Sequence, residues 1–228
     1  MRKVFVVLAA VGLAAPALAA DAPALKTLKE KVSYCIGLNM GKSMKQEQVD
    51  IDLDILFRGL KDALSDAKPA LTDAEITEAL ATFQKEMTTK QADRLKDAAD
   101  KNKKEGDAFL AENGKKEGVK TLPSGLQYKV IKAGTGKTPK ATDTVVTHYR
   151  GTLLDGTEFD SSIKRAEPAT FVVNEVIPGW TEALQLMKVG DKWQLFLPTA
   201  LGYGDRGAGR AIGPNATLVF EVELLEIK

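Results

Sequence analysis

The spacing of apolar residues changes once along this chain, at Gly114, and that change limits what it can fold into. Before Gly114 they recur every third or fourth residue: Leu25, Leu28, Val32, Ile36 and Met40, then Leu53, Leu56, Leu60 and Leu64, then Ile76, Leu80, Phe83 and Met87. That is the period of amphipathic helices. Beyond it, branched and aromatic residues alternate with polar ones over Leu126–Ile131, Thr144–Leu153, Ala169–Val173, Trp193–Leu197 and Thr217–Ile227, the pattern of strands. A short helix at Trp180–Met187 and a Gly190-Asp191 turn interrupt them. The expected class is α+β: an all-helical N-terminal module, a long connecting helix, and a C-terminal antiparallel sheet curled around a short helix.

The first 19 residues are set apart from this fold. Arg2 and Lys3 precede an uncharged run, Val4 to Ala15, and Ala17-Leu18-Ala19 places small residues before a cut after Ala19. This is the pattern of a cleaved secretory signal, and the run is short for a membrane span. Losing Arg2 and Lys3 turns 32 basic against 31 acidic residues into 30 against 31, a net charge of −1. So neutral a chain argues against nucleic acid as a partner. Cys35 is the single cysteine, which excludes a disulfide within one chain and predicts a free, buried thiol.

Residues 20–70 read as a helical dimerisation domain, with Asp52 an N-cap for the second helix. Two short helices bury little alone, and a second copy of the chain is the economical partner. Gly37 and Gly41, four residues apart, would let another helix approach closely. Thr72 with Glu75 forms a capping box that opens a connecting helix over 71–113. Its apolar stripe all but vanishes between Thr88 and Asp107, where Asp97 with Lys101 and Asp100 with Lys104 offer ion pairs. A solvent-exposed spacer arm is expected, with Gly106 its weakest point. Residues 114–121 read as a hydrophilic linker, and 122–228 as the catalytic or binding domain.

Four stretches of that last domain carry the chemistry: His148-Tyr149-Arg150-Gly151, Asp155 to Ser161, Val176-Ile177-Pro178-Gly179-Trp180, and Gly202-Tyr203-Gly204. They gather aromatic and branched side chains around few polar groups. Such a lining suits an apolar ring held beside a hydrogen-bonded carbonyl, as in a proline and the amide before it. With Ala216 to Leu225 they resemble the FKBP-type peptidyl-prolyl isomerases over Val119 to Lys228. In the helical half, Ser33-Tyr34 leading to Gly37 and Gly41, the long charged helix, Gly106 to Leu110 and Leu122 to Tyr128 resemble the macrophage infectivity potentiator subfamily.

The resemblance implies an isomerase that turns X-Pro bonds in unfolded or newly exported proteins. It implies Tyr149, Asp160 and Tyr203 as catalytic residues, with Phe159, Val176, Ile177, Trp180, Ile212 and Phe220 binding substrate. Trp180 would be the floor. The Tyr203 hydroxyl and the Ile177 N–H would hold substrate carbonyls, and Asp160 would orient beside Tyr149. It further implies a homodimer through the N-terminal helices, a periplasmic address with outer-membrane or cell-surface association as a variant, and no cofactor or metal. Macrocyclic inhibitors are candidate ligands. Two departures bear on them: Ala169 replaces a bulky aromatic and Gly213 replaces a proline, both expected to widen the pocket.

Other chemistries find little support. Gly202-Tyr203-Gly204-Asp205-Arg206-Gly207 is a literal G-x-G-x-x-G, but the residues after it cannot form the helix a dinucleotide site needs. His148 is the single histidine and Cys35 is far from it in sequence, which leaves no triad or multi-histidine metal site. Asp155, Glu158 and Asp160 sit on one expected turn, as a solvated hairpin. Two readings of another class stay open: a dimeric holdase chaperone and a surface interaction protein, each with weak isomerisation or none.

Overall fold

The structure is a computed structural model that describes residues 24–228, so the expected signal segment lies outside the described residues. The chain divides into two compact units, one ending at Thr72 and one running from Asp73 to Lys228.

The first unit holds helices α1 (Leu28–Glu47) and α2 (Leu53–Leu64). Thr27 caps α1 in a reciprocal box with Glu30, and the Asp52 carboxylate accepts from the N–H groups of Asp54 and Ile55 at the start of α2. These bonds satisfy donors that a helix N-terminus leaves orphaned. Neither helix buries a residue. Leu28, Ile36, Ile55 and Leu64 are all at least 60% exposed, and a cavity of about 620 Å³ opens between Met40, Ile51, Ile55 and Leu60. Cys35 is free but exposed rather than buried, because α1 has no core to enter. Gly37 and Gly41 face open space.

The second unit begins with helix α3 (Asp73–Asn113), 41 residues and roughly 60 Å long at 1.5 Å per residue. Its polar middle is exposed, and the ion pairs there run base before acid, Lys103–Asp107 at 2.9 Å and Lys101–Glu105 at 4.0 Å. The last three turns are not a free arm. Asn102 donates to the Pro214 carbonyl at 2.8 Å, and Phe109 lies 5.8 Å from Phe196. The buried Asn113 amide donates to Gln127 at 3.0 Å while Gln127 donates to the Leu110 carbonyl at 2.8 Å. Gly106 is buried here, and a Cβ on it would collide with the Thr217 side chain. The glycine expected to weaken the helix is the point where it meets the sheet.

Seven antiparallel strands follow: β1 (Val119–Thr121), β2 (Gln127–Lys132), β3 (Thr144–Thr152), β4 (Glu158–Ser161), β5 (Ala169–Val172), β6 (Lys192–Leu197) and β7 (Leu218–Ile227). β1 lies within the stretch expected as linker. Helix α4 (Pro178–Leu184) starts two residues before its expected position, with Pro178 in the first turn, where its missing N–H costs nothing. Trp180, Ala183 and Leu184 of α4 join Leu195, Leu197, Leu218 and Val222 in one buried cluster against a single sheet face.

The curled sheet expected from sequence is corrected here. The strand order β1-β2-β6-β7-β3-β4 is an open path, and its two end strands do not pair. One long edge of β3 is shared end to end by β5, opposite Thr144–Thr147, and β4, opposite Arg150–Thr152. The far edge is the three-residue β1. Alternating apolar residues report that one face is covered; they do not report whether the edges meet.

Candidate active site

Trp180 is the centre of an aromatic nest. Its ring meets Tyr149, Phe171 and Phe220 edge-on at 5.2, 5.6 and 5.4 Å, with interplanar angles of 80–87°. Phe159 stands edge-on to Phe220 at 5.5 Å. Such T-shaped pairs match positive ring edges to negative faces and hold each ring in place. Gly151 makes the approach feasible, since a Cβ there would fall 2.6 Å from the Phe159 ring and 2.8 Å from Phe220.

These rings wall a cavity of about 330 Å³, lined also by Asp160, Glu175, Val176, Ile177 and Tyr203. Five elements supply it: β3 gives Tyr149, β4 gives Phe159 and Asp160, β5 gives Phe171, α4 gives Trp180, and β7 gives Phe220. A single 3-10 turn, Val173–Glu175, feeds Glu175 and the two residues after it into the wall. Tyr203 is half exposed on the loop after β6, where Gly204 and Gly207 take positive φ. The glycine-rich run leads into an Ala208–Ile212 bridge and not a helix.

Of the nine residues expected at the site, eight line this cavity. The ninth, Ile212, is buried in the hydrophobic cluster and is not on the wall. Phe171 and Glu175 line it without having been expected there, and alternation along β5 could not separate a pocket ring from a core ring. Asp160 and Glu158, expected on a turn, belong to β4, and only Asp155 caps the turn, accepting from Thr157 N–H at 2.9 Å. Neither departure from the family pattern lines the cavity. Ala169 packs on the core, and Gly213 opens toward α3, where a Cβ would stand 3.1 Å from the Asn102 amide.

One polar group of the wall is built in depth. The Tyr149 hydroxyl donates to Asp160, and Arg165 donates to Asp160 and, at 3.0 Å, to the Tyr149 oxygen. The guanidinium also sits 5.7 Å from the Tyr149 ring centre. Sequence reasoning missed Arg165. Partial burial pushes the Asp160 carboxyl up, but the bonds from Tyr149 and Arg165 outweigh it and leave the group below the usual carboxylate range. Burial, with the bond to Asp160, raises the Tyr149 phenol; burial, with the Asp160 charge, raises Tyr203. Both hydroxyls therefore stay protonated and able to donate. His148 contacts Ser162 at 3.1 Å and lies off the wall. Among the described residues no three His, Cys, Asp or Glu side chains converge to hold a metal.

A largely aromatic cavity with hydroxyl donors and no nucleophile–base pair on its wall suits a reaction in which no covalent bond is made or broken. A model of the FKBP-type peptidyl-prolyl cis-trans isomerase matches residues 135–225, and a model of the domain amino terminal to such isomerases matches residues 29–130. The chain belongs to the FKBP-type peptidyl-prolyl isomerases, and it accelerates rotation about X-Pro bonds. Within that family it is 48% identical over 230 residues to the outer membrane protein MIP of Legionella longbeachae, covering 100% of this chain and 99% of that protein. It is 51% identical over 213 residues to the FKBP-type isomerase FkpA of Aeromonas hydrophila, covering 89% of this chain and 78% of that one. The crystal structure of FkpA from Escherichia coli superposes with a TM-score of 0.70 at 40% identity, covering 90% of this chain and 99% of that one.

Proposed function

We propose that turnover takes place over Trp180, on X-Pro bonds of unfolded or newly exported polypeptides in the periplasm. The observation that carries this is the nest of rings edge-on to Trp180, which makes the indole a flat, apolar floor. Rotation about an X-Pro bond is slow because twisting breaks amide resonance, a barrier of about 18–20 kcal/mol. The planar amide is charge-separated and well hydrated, while the twisted one is less so. An apolar cavity therefore costs the twisted form less than the planar form, which is differential binding without a covalent step. The proline ring stacks on Trp180. The Tyr203 hydroxyl and the Ile177 N–H hold the flanking carbonyls, and Asp160, held by Tyr149 and Arg165, shapes the wall facing the amide. Macrocyclic inhibitors of the family would compete for this cavity.

The chain works as a homodimer through residues 20–70, which supports a second, chaperone activity toward unfolded segments. The support is a helical unit whose helices bury nothing of their own and leave Leu28, Ile55 and Leu64 exposed. No described helix is long and apolar enough to cross a membrane. The name of the Legionella longbeachae relative describes that protein as an outer membrane protein, and association with the outer membrane or cell surface is the second reading of this chain's address. Exchange spectroscopy on a short X-Pro peptide tests the reading: Trp180→Leu should lower kcat/KM at least tenfold, and an unchanged rate would move turnover to another site.

A further inference from the structure

Two carboxylates and no cation line the cavity, and they are not equivalent. Asp160 is neutralised by Arg165, which sits behind the wall against Tyr149. Glu175 is exposed, ends the 3-10 turn that leads to Val176 and Ile177, and has no ion pair or hydrogen-bond partner among the described residues. The uncompensated charge at the mouth is therefore a single negative one. With 32 basic and 31 acidic residues, the chain as a whole supplies almost no long-range bias of its own.

We propose that Glu175 sets a charge preference for the residues flanking the substrate proline, favouring lysine or arginine and disfavouring aspartate or glutamate. This rests on the assignment of turnover to the Trp180 cavity and names the class of X-Pro segment it prefers. A substrate stretched across the mouth must pass its flanking side chains by Glu175, because that residue shares the rim with Val176 and Ile177. A cationic side chain there meets an opposite charge with no ion-pair partner among the described residues; an acidic one meets like charge, while Arg165 is engaged with Asp160 and Tyr149. In an exposed rim such an interaction is modest and screened by salt, a ratio of about 3 to 10 between lysine and glutamate peptides. The floor itself stays indifferent to charge, since Trp180 and the rings around it are uncharged.

The test is exchange spectroscopy on capped peptides carrying Lys, Leu or Glu immediately before or after proline. The ratio of kcat/KM between lysine and glutamate peptides is read, not the absolute rate. At low salt the full chain should favour lysine about 3- to 10-fold at one or both positions, and the ratio should approach one in about 1 M salt, where screening reaches about 3 Å. Glu175→Gln should remove the preference and Glu175→Asp should retain part of it. A ratio that survives Glu175→Gln, or a wild-type ratio of one, overturns the proposal. Peptide affinities followed at the Trp180 indole N–H carry the same comparison independently of turnover. Lysine-selective binding without turnover would uphold Glu175 while contradicting the isomerase site.

Discussion

The Tyr149 hydroxyl donates to the Asp160 carboxylate across neighbouring strands, from the middle of β3 to the middle of β4. Asp160 sits opposite Gly151, so the missing side chain there lets Phe159 turn inward beside Phe220 while Asp160 reaches back to Tyr149. Arg165, from the loop after β4, then closes the group by bonding both partners.

Removing either member should lower activity without unfolding the domain. Tyr149→Phe leaves Asp160 with Arg165 alone, and Asp160→Ala leaves the Tyr149 hydroxyl without its acceptor while Arg165 keeps only the Tyr149 oxygen. A hydrogen bond to a charged group is worth about 1.5–3 kcal/mol, so kcat/KM should fall about 10- to 100-fold in each. The double variant should cost much less than the product of the two, because the residues act through one bond. Urea midpoints should fall modestly, since the same bonds contribute to stability, while the domain stays folded.

The pH profile follows from the directions of the shifts. A depressed Asp160 contributes stability that is present above the unfolded carboxylate value, about 3.9, and is lost as pH falls through the lower folded value. Tyr149 and Tyr203 are raised, so their contribution is present below about 10 and is lost as pH rises through the folded values. Turnover should be flat between about pH 5 and 9. A titration centred near neutrality in kcat/KM would assign catalysis to a different group.

Gly106→Ala should destabilise the second unit by about 1–3 kcal/mol through overpacking against Thr217. The check is urea unfolding. Thr217→Ala in the same chain should recover part of the loss, since it removes the hydroxyl that the new methyl would meet.

That contact also shows what was legible in the sequence. The helices and five of the seven strands could be read because the apolar period reports them, and the eight wall residues came from the resemblance of four short stretches to the family. The docking of α3 could not. Beside the lone ring contact of Phe109, it is made by Asn102, Gly106 and Asn113, small or polar residues that leave no apolar stripe. β1 lies in a hydrophilic stretch and β4 in a run of acidic residues, so neither shows an apolar alternation, and these two are the end strands of the open sheet. Arg165 was missed because nothing in its local sequence marks it; only the fold brings it to Tyr149.

Deleting residues 20–70 should yield a monomer that still turns over a short peptide, because every wall residue lies in the second unit. Sedimentation equilibrium decides it. A truncated chain that remains dimeric would place the dimer contact outside α1 and α2.

The most direct measurement is the exchange rate of one X-Pro tetrapeptide with the wild-type chain and with Asp160→Ala at matched concentration. Strong acceleration by the wild type, reduced about 10- to 100-fold in the variant while suppression of aggregation persists, is the predicted result. Equal rates from both well-folded proteins would contradict the assignment of turnover to the Trp180 cavity.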